Sequence, residues 1–410
     1  MIQKYRLFFI VSIILFPSFF GYVGLNAGQA LYLAAIIFFS IIPFVVRPQL
    51  FTLQVFNRNV LFISLLFLLL FIEYNISSLL NFTRNNYGLN DIIEILRPLI
   101  YLFCFYTSYI IVGSNTDNQS YKTIDTIEKI IFIFSLFDWL KFIPLFAPVF
   151  KLYSVFPYGS INYIRMSGMT GFAYNYAWII IFCLYWNVLR NRKITLKFFY
   201  YSILIFLTGS RTGFAALCLS YLVIFVCIKQ TRKTLGLALF IIIIFIVTLY
   251  LAGVEVVVTA VDYIVRLIQA FLGKTLDASM LTRKSQNAEA LQFFDEAALF
   301  GIASNKASNR VIENFYFHHI RNWGLVGLSI YIIILISFFL FTEKAYRTFV
   351  FVMLSTAFLI CFSSPLFDQI RVFSILYLIL SLTIHPNFSG IPVVKKRSRR
   401  NRVRFNKYLK

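Results

Sequence analysis

Long apolar runs recur from one end of the 410-residue chain to the other, with short polar segments between them. Each run approaches the roughly 20 apolar residues that a helix needs to cross a bilayer. The pattern predicts about twelve membrane-spanning helices: Leu7–Leu25, Ala30–Val46, Val60–Leu80, Ile92–Val112, Ile127–Ala147, Phe172–Leu189, Leu196–Thr208, Gly213–Ile228, Leu235–Leu251, Asn314–Phe341, Thr348–Phe362 and Leu366–Ile384. The two runs that flank Arg211 are short, which indicates helices that stop part-way or a tilted pair around a cavity.

The composition agrees with this pattern. Hydrophobic residues make up 60% of the chain, charged residues make up 13%, and the mean hydropathy is +0.79. A soluble protein of this length could not cover that much apolar surface, so the fold class is an all-α polytopic membrane protein. All five cysteines lie within apolar runs and predict neither a disulfide framework nor a metal site. The first run lacks a small-residue cleavage site and is expected to remain as the first helix.

Basic residues predict the orientation. With the amino terminus inside, the cytoplasmic segments hold 24 of the 38 Lys and Arg residues, and the positive-inside rule then places both termini in the cytoplasm. The chain divides into an integral membrane domain, residues 1–390, and a basic cytoplasmic tail, residues 391–410. A basic tail after a final span rests on anionic lipid at about 1 kcal/mol per basic residue. Its expected partner is therefore membrane lipid and not nucleic acid.

Two segments on the predicted outer side stand out. One covers about residues 148–171 and the other about residues 252–313. The longer segment exceeds a simple connection in a compact bundle, which favours a functional role. Within it, Thr282–Ala298 has a helical composition and a partial apolar stripe, so we expect a helix lying on the membrane face.

Arg211 lies between two apolar runs, in the sequence Thr208–Gly213. Placing a cation at the bilayer core costs at least about 2.5–3.5 kcal/mol, so an arginine at this position is expected to have a functional or structural role. Ser210 and two glycines surround it and allow a ligand to approach the backbone closely. The pattern indicates an anion bound at the membrane surface, against the alternative of an arginine that snorkels to the interface.

Four segments resemble the O-antigen polymerase and ligase superfamily. In chain order, they are Arg165–Ala177, with its Arg, Gly and Asn before a small residue; Ser210–Gly213, the motif Ser-Arg-Thr-Gly; Arg283–Gly301; and Asn314–Gly327, an Asn-x-Tyr leading to Gly-x-x-Gly. They occur in the family's order, on the predicted outer side. The resemblance implies a GT-C-like bundle in the bacterial cytoplasmic membrane with one long outer loop. Its implied partners are an oligosaccharide on undecaprenyl pyrophosphate as substrate and a regulator of chain length.

The resemblance also implies a chemistry without cofactor or metal. The glycan leaves undecaprenyl pyrophosphate for a sugar hydroxyl, and arginine forks suit the charge that grows on the leaving phosphate. A carboxylate or a histidine would take the proton of the hydroxyl. The candidate catalytic residues are Arg211, Glu313, His318 and His319, and the candidate substrate-binding residues are Arg165, Asn175, Arg283, Asn314 and Tyr316.

Glu313 separates two branches of the superfamily. Lipopolysaccharide ligases usually have a histidine at this position, before the Asn of Asn-x-Tyr. The glutamate favours a Wzy-type polymerase that joins repeat units into O-antigen, capsule or exopolysaccharide. A ligase that transfers polymer to a lipid core stays open. A lipid-linked glycan flippase would instead show two related halves, and no repeat relates one half of this sequence to the other. An accessory subunit without catalysis would not need three arginines in family-like contexts.

Other charges within the predicted spans are spaced as pairs. Glu94 and Arg97, Asp138 and Lys141, and Asp368 and Arg371 are each three residues apart. Opposite charges at this spacing share one helix face and can neutralise each other.

Overall fold

The computed structural model describes residues 2–46, 58–83, 87–113, 119–154, 156–272, 278–304, 312–362, 364, 366 and 369–384, and within them the chain is helical with no strand. The main helices are α1 (Ile2–Leu15), α2 (Leu25–Val46), α3 (Arg58–Leu80), α4 (Leu89–Gly113), α5 (Gln119–Phe137), α6 (Ala173–Asn191), α7 (Leu196–Leu207), α8 (Arg211–Cys227), α9 (Arg232–Leu251), α10 (Glu255–Phe271), α11 (Ala278–Ala297), α12 (Phe315–Phe341), α13 (Arg347–Cys361) and α14 (Ile370–Thr383). The basic tail and Asp368 lie outside the described residues.

Each of the twelve predicted spans falls on a helix of the structure. Among the described residues, four helices (α3, α4, α9 and α12) are long and apolar enough to cross a membrane by themselves. A bent pair, Tyr121–Phe142 with Pro144–Phe150, adds a fifth candidate. The polytopic helical class is confirmed, and twelve as the number of crossings stays a prediction.

Proline interrupts two of the predicted spans. The first run was expected to be helical from Leu7 to Leu25, but α1 ends at Leu15 and residues 16–19 are not helical. Pro17 lacks the backbone N–H that would continue the helix and restricts the residue before it. The fifth run turns into 3-10 helix after Phe137 and bends by 118° before Pro144.

The described part of the long segment after α9 contains two helices. The predicted helix at Thr282–Ala298 is confirmed as α11, and it packs against α12. Its apolar side chains are distributed around the helix, so the expected apolar stripe is wrong. The pronounced apolar face belongs instead to α10, which packs against α7, α8 and α9.

Helix α6 forms the centre of the bundle. It is buried along nearly its whole length and packs against α5, α7, α8 and α13. The indole of Trp178 donates a hydrogen bond to the carbonyl of Met353 at 3.1 Å, which ties α6 to α13. The first turn of α6, which carries Tyr174 and Asn175, is therefore held in place by the core.

Gly301 and Gly324 form a close junction between the segment after α11 and the first part of α12. Gly324 has φ 63° and ψ −169°, which divides α12 into two helical parts. Across the junction, Ile302 N–H donates to Arg321 O at 2.8 Å and Leu325 N–H donates to Ala298 O at 2.9 Å. Two of the family-like segments therefore meet here through their glycines.

Gly324→Ala is expected to destabilise the protein. A Cβ at this position would lie 2.1 Å from Leu299 O, and its φ of 63° is strained for an L-residue. Backbone strain alone costs about 1–3 kcal/mol. Gly236→Ala is the matched control, because that Cβ would meet nothing within 4 Å and alanine favours a helix. Thermal unfolding in detergent should rank Gly324→Ala below wild type and Gly236→Ala at or above it; equal midpoints for the two variants would contradict the junction.

Candidate active site

The connections at one end of the bundle converge, and we call this the loop end. Gly21 N–H donates to Lys151 O at 2.8 Å, and Asn314 Nδ2 donates to Phe362 O at 3.1 Å. The Lys141 ammonium and the Asp138 carboxylate, whose predicted pairing is confirmed at 4.0 Å, are buried nearby. The predicted pair of Glu94 and Arg97 is also confirmed.

The Ser-Arg-Thr-Gly motif forms the start of α8. Ser210 is the N-cap residue, and its hydroxyl accepts a hydrogen bond from Gly213 N–H at 3.1 Å. A Cβ on Gly213 would lie 2.7 Å from Cβ of Ala177, so the glycine permits α8 to contact α6 closely. Arg211 is the half-buried first residue of α8. The positive end of a helix and an arginine together favour an anion at this position.

Arg165 contacts the same turn from the other side. Its Nε donates to Thr208 O at 2.7 Å, and Met166 N–H donates to Leu207 O at 3.2 Å. These bonds satisfy carbonyls at the end of α7 that have no partner within the helix. Arg165 and Arg211 therefore belong to one local structure, the turn from α7 to α8.

Arg283 and Glu313 form an ion pair across 30 residues of sequence. Arg283 Nε lies 2.9 Å from Glu313 Oε2, and the two side chains are 30% and 47% exposed. Gln286, one turn further along α11, accepts a hydrogen bond from Glu313 N–H at 3.2 Å. The predicted base is thus held by α11 beside a cation, and it remains open to solvent.

Tyr174 connects these groups. Arg165, Arg283 and Glu313 all lie close enough to interact electrostatically with its hydroxyl. Tyr174 is the second residue of α6, so the rigid centre of the bundle positions it. We call Arg165, Arg211, Arg283, Glu313 and Tyr174 the arginine cluster. The cluster includes four of the nine predicted site residues. Arg165, Arg283 and Glu313 are linked through Tyr174, and Arg211 is linked through the turn that Arg165 contacts.

Asn314 and Tyr316 fix the start of α12. The Asn314 side chain caps the helix, accepting from Tyr316 N–H at 3.0 Å and Phe317 N–H at 3.3 Å. The Tyr316 hydroxyl donates to Phe358 O at 2.9 Å. These contacts give both residues of the Asn-x-Tyr sequence a structural role at the start of the helix. Their role in substrate binding stays a prediction.

His318 and His319 have different surroundings. Nε2 of His318 lies 3.1 Å from Nδ2 of Asn322, and its ring is half-buried. His319 is 2% exposed; its Nε2 lies 3.1 Å from the Tyr74 hydroxyl, and its ring lies 4.1 Å from that of Phe315. His318 is therefore the more accessible of the two as a proton acceptor.

Asn175 follows Tyr174 in α6, and one residue along a helix rotates the side chain by about 100°. It lines a cavity with Arg371, on the side of α14. The described contacts of the Arg371 guanidinium are to Met169 O, Phe16 O and the hydroxyl of Ser18. Its predicted pair with Asp368 stays a prediction, because Asp368 lies outside the described residues.

The sequence reasoning missed several buried charged residues, and two of them lie in or against α12. Arg321 is 3% exposed; its Nε donates to Asn322 Oδ1 at 3.1 Å, and its Nη1 lies 3.7 Å from Glu289 of α11. Glu73, in α3, is 3% exposed, and a Cβ on Gly327 would lie 2.7 Å from its Oε2. A charge within a predicted apolar span was the available signal for both.

Among the described residues, no three His, Cys, Asp or Glu side chains come together as a metal site. No curated protein matches this chain. Residues 196–324 match the family model described as O-antigen ligase, a stretch that includes Arg211, Arg283 and Glu313. Over these residues the match confirms the predicted resemblance of this membrane protein to the O-antigen polymerase and ligase superfamily.

Proposed function

We propose that the protein polymerises oligosaccharide repeat units carried on undecaprenyl pyrophosphate, at the outer face of the cytoplasmic membrane. The observation that carries the proposal is the arginine cluster, which collects Arg165, Arg211 and Arg283 around Tyr174 and the start of α8. Three cations at one end of an apolar bundle suit a pyrophosphate whose lipid tail stays in the membrane. The O-antigen ligase match, which covers Arg211, Arg283 and Glu313 of this cluster, supports a membrane function of polymerase or ligase type.

The chemistry follows from the bond that is broken. A hydroxyl oxygen of the acceptor sugar forms a bond to the anomeric carbon of the donor, and the bond from that carbon to pyrophosphate breaks. Negative charge grows on the leaving undecaprenyl pyrophosphate, where fixed guanidinium groups stabilise it. The hydroxyl proton passes to a base, for which Glu313 is the first candidate and His318 the second.

The ion pair between Arg283 and Glu313 allows substrate binding to free the carboxylate that acts as the base. Without substrate, the carboxylate is neutralised by Arg283 at 2.9 Å. A pyrophosphate carries more negative charge than a carboxylate and competes for the same guanidinium. In this proposal, donor binding draws Arg283 away and leaves Glu313 available to accept a proton.

Glu313 favours the polymerase over the ligase, because ligases usually have histidine at that position. The ligase reading, with a lipid core as acceptor, is the second candidate, supported by the family match itself. A GT-C-like arrangement, a partner that sets chain length and transfer without a metal remain predictions.

The proposal is tested in a strain that lacks this gene. Without the protein, single repeat units should accumulate on the carrier lipid and the ladder of polymer lengths should disappear from a gel. Wild-type protein should restore the ladder. Long chains that persist on the carrier lipid in the deletion strain, without attachment to a lipid core, would identify a ligase instead.

The proposal also requires the loop end to face outward. In a cysteine-free background, Ser285→Cys on α11 should react with an impermeant thiol reagent in intact cells, because Ser285 is exposed. Lys193→Cys, in the exposed connection between α6 and α7 at the opposite end of the bundle, should react only after the membrane is opened. The reverse pattern would place the arginine cluster in the cytoplasm.

A further inference from the structure

Two opposite charges are buried beside the arginine cluster. Asp138 and Lys141 lie in the short 3-10 helix that follows α5, and their side chains are 1% and 2% exposed. The Lys141 ammonium is 4.0 Å from the Asp138 carboxylate, which is long for a charge-assisted hydrogen bond. Burying two charges stabilises a protein only when further hydrogen bonds satisfy both groups. Their closer contacts are to the backbone of another segment, residues 165–168.

The two charges hold residues 165–168 at both ends. The Lys141 ammonium donates a hydrogen bond to Arg165 O, and Asp138 Oδ2 accepts one from Gly168 N–H at 3.1 Å. Hydrogen bonds to ionised groups are about twice as strong as those between neutral groups. The pair therefore fixes the stretch of backbone from which the Arg165 side chain extends.

Gly168 allows this stretch to lie directly on α6. Its φ of 49° is in the left-handed region, and a Cβ at this position would lie 2.3 Å from Cε2 of Tyr176. Glycine adopts this conformation without steric cost and leaves room for the tyrosine ring. Residues 165–168 are thus held between the buried pair and the central helix.

The Arg165 side chain reaches from this stretch to the turn between α7 and α8. Its Nε donates to Thr208 O at 2.7 Å, and its charge also acts on Tyr174. The Lys141 ammonium is close enough to repel the guanidinium of Arg165, and Asp138 offsets that repulsion with an opposite charge. The lysine can therefore hold the carbonyl without driving the guanidinium out of the arginine cluster.

We propose that Asp138 and Lys141 are positioning residues, which hold Arg165 in place for the pyrophosphate of the donor. This inference rests on the proposed function, because that function assigns a pyrophosphate to the arginine cluster. The planar fork of an arginine binds phosphate oxygens only in a suitable orientation. A displacement of about 1 Å in such a group can cost about 10²-fold in rate. The buried pair acts through Arg165 and does not itself contact the substrate.

The test replaces the pair with uncharged side chains of similar size. Asp138→Asn can still accept a hydrogen bond from the same backbone N–H, whereas Lys141→Met removes the donor to Arg165 O. Both substitutions together leave no unpaired buried charge, and replacements of this kind are often neutral or stabilising. The control is Glu128→Gln with Lys197→Met, which neutralises an ion pair of 2.8 Å at the opposite end of the bundle.

Two measurements on full-length protein in detergent give the expected result. Hydrogen exchange in the peptide that contains residues 165–168 should become about tenfold faster in Asp138→Asn/Lys141→Met, because a hydrogen bond from a charged group is lost. The affinity for inorganic pyrophosphate should fall about tenfold, as it should in Arg165→Ala. Combining all three substitutions should cause no further loss, because the pair acts through Arg165. The control variant should match wild type in both measurements.

A buried pair that only stabilises the fold predicts a different result. Unchanged exchange, unchanged affinity, or losses that multiply when Arg165→Ala is added would each overturn the inference. Wild-type protein that does not bind pyrophosphate, or Arg165→Ala that binds it equally well, would also overturn it. None of these results concerns the polymer ladder of the deletion strain, so the proposed function stands or fails separately. Should the double variant not accumulate, Tyr163→Phe, which removes a hydrogen bond of 3.1 Å to Lys141 O, gives the same comparison.

Discussion

Arg211→Lys is expected to remove nearly all polymer from the gel while the protein accumulates normally. Lysine keeps the positive charge but loses the planar fork that binds two phosphate oxygens at once. Losing one fixed donor at a developing anion typically costs about 10²–10³ in rate. Arg211 begins α8 and lies next to its N-cap Ser210, so neither the cap nor the contact between Gly213 and Ala177 depends on its side chain.

Arg266→Lys is the matched control for Arg211→Lys. Arg266 is exposed on α10, between the same two membrane helices as the rest of the long segment, and it contributes to no part of the arginine cluster. Its variant should produce a normal ladder. Full laddering with both lysine and alanine at position 211 would remove Arg211 from the chemistry.

Glu313→Gln is expected to reduce the ladder to single repeat units. Glutamine has the same size and can still accept a hydrogen bond from Arg283 Nε, but it cannot take a proton from the acceptor hydroxyl. General base catalysis contributes about 10²–10⁴ in rate. The ion pair between Arg283 and Glu313 is too exposed for its loss to unfold the protein, since such pairs contribute at most about 1 kcal/mol.

Glu255→Gln controls for an acid near the start of a helix, because Glu255 begins α10 and is exposed. It should leave the ladder intact. If Glu313 only favours the helix N-terminus, its replacement costs about 0.3–1 kcal/mol and activity should survive. Normal ladders with Glu313→Gln, together with loss in His318→Ala, would move the role of base to the histidine.

The helices could be predicted from the sequence because apolar runs of span length leave few alternatives. The breaks after Leu15 and Phe137 were readable in principle from Pro17 and Pro144, but hydropathy averaged over a window hides them. Among the site residues, Arg211 could be identified because a cation between two apolar runs is costly and is therefore expected to have a role. Its neighbours Ser210 and Gly213 indicate its position at the start of a helix.

The partners of these residues could not be predicted, because they depend on contacts between distant segments. Arg283 and Glu313 meet only after α11 packs against α12. Asn175 and Tyr174 are adjacent in sequence, yet their side chains have different neighbours, which the packing around α6 determines. Arg371 also contacts backbone carbonyls from two distant segments, Met169 O and Phe16 O, which its helical spacing does not reveal.

We propose that this chain alone joins lipid-linked repeat units. Purified protein in vesicles, given only the repeat unit on undecaprenyl pyrophosphate, should produce carrier lipids with two, three and more repeats and release free undecaprenyl pyrophosphate, while protein with Arg211→Lys should not. A lipid-linked repeat unit that stays single under these conditions, but is transferred once a lipid core is added, would contradict the polymerase account and establish the ligase.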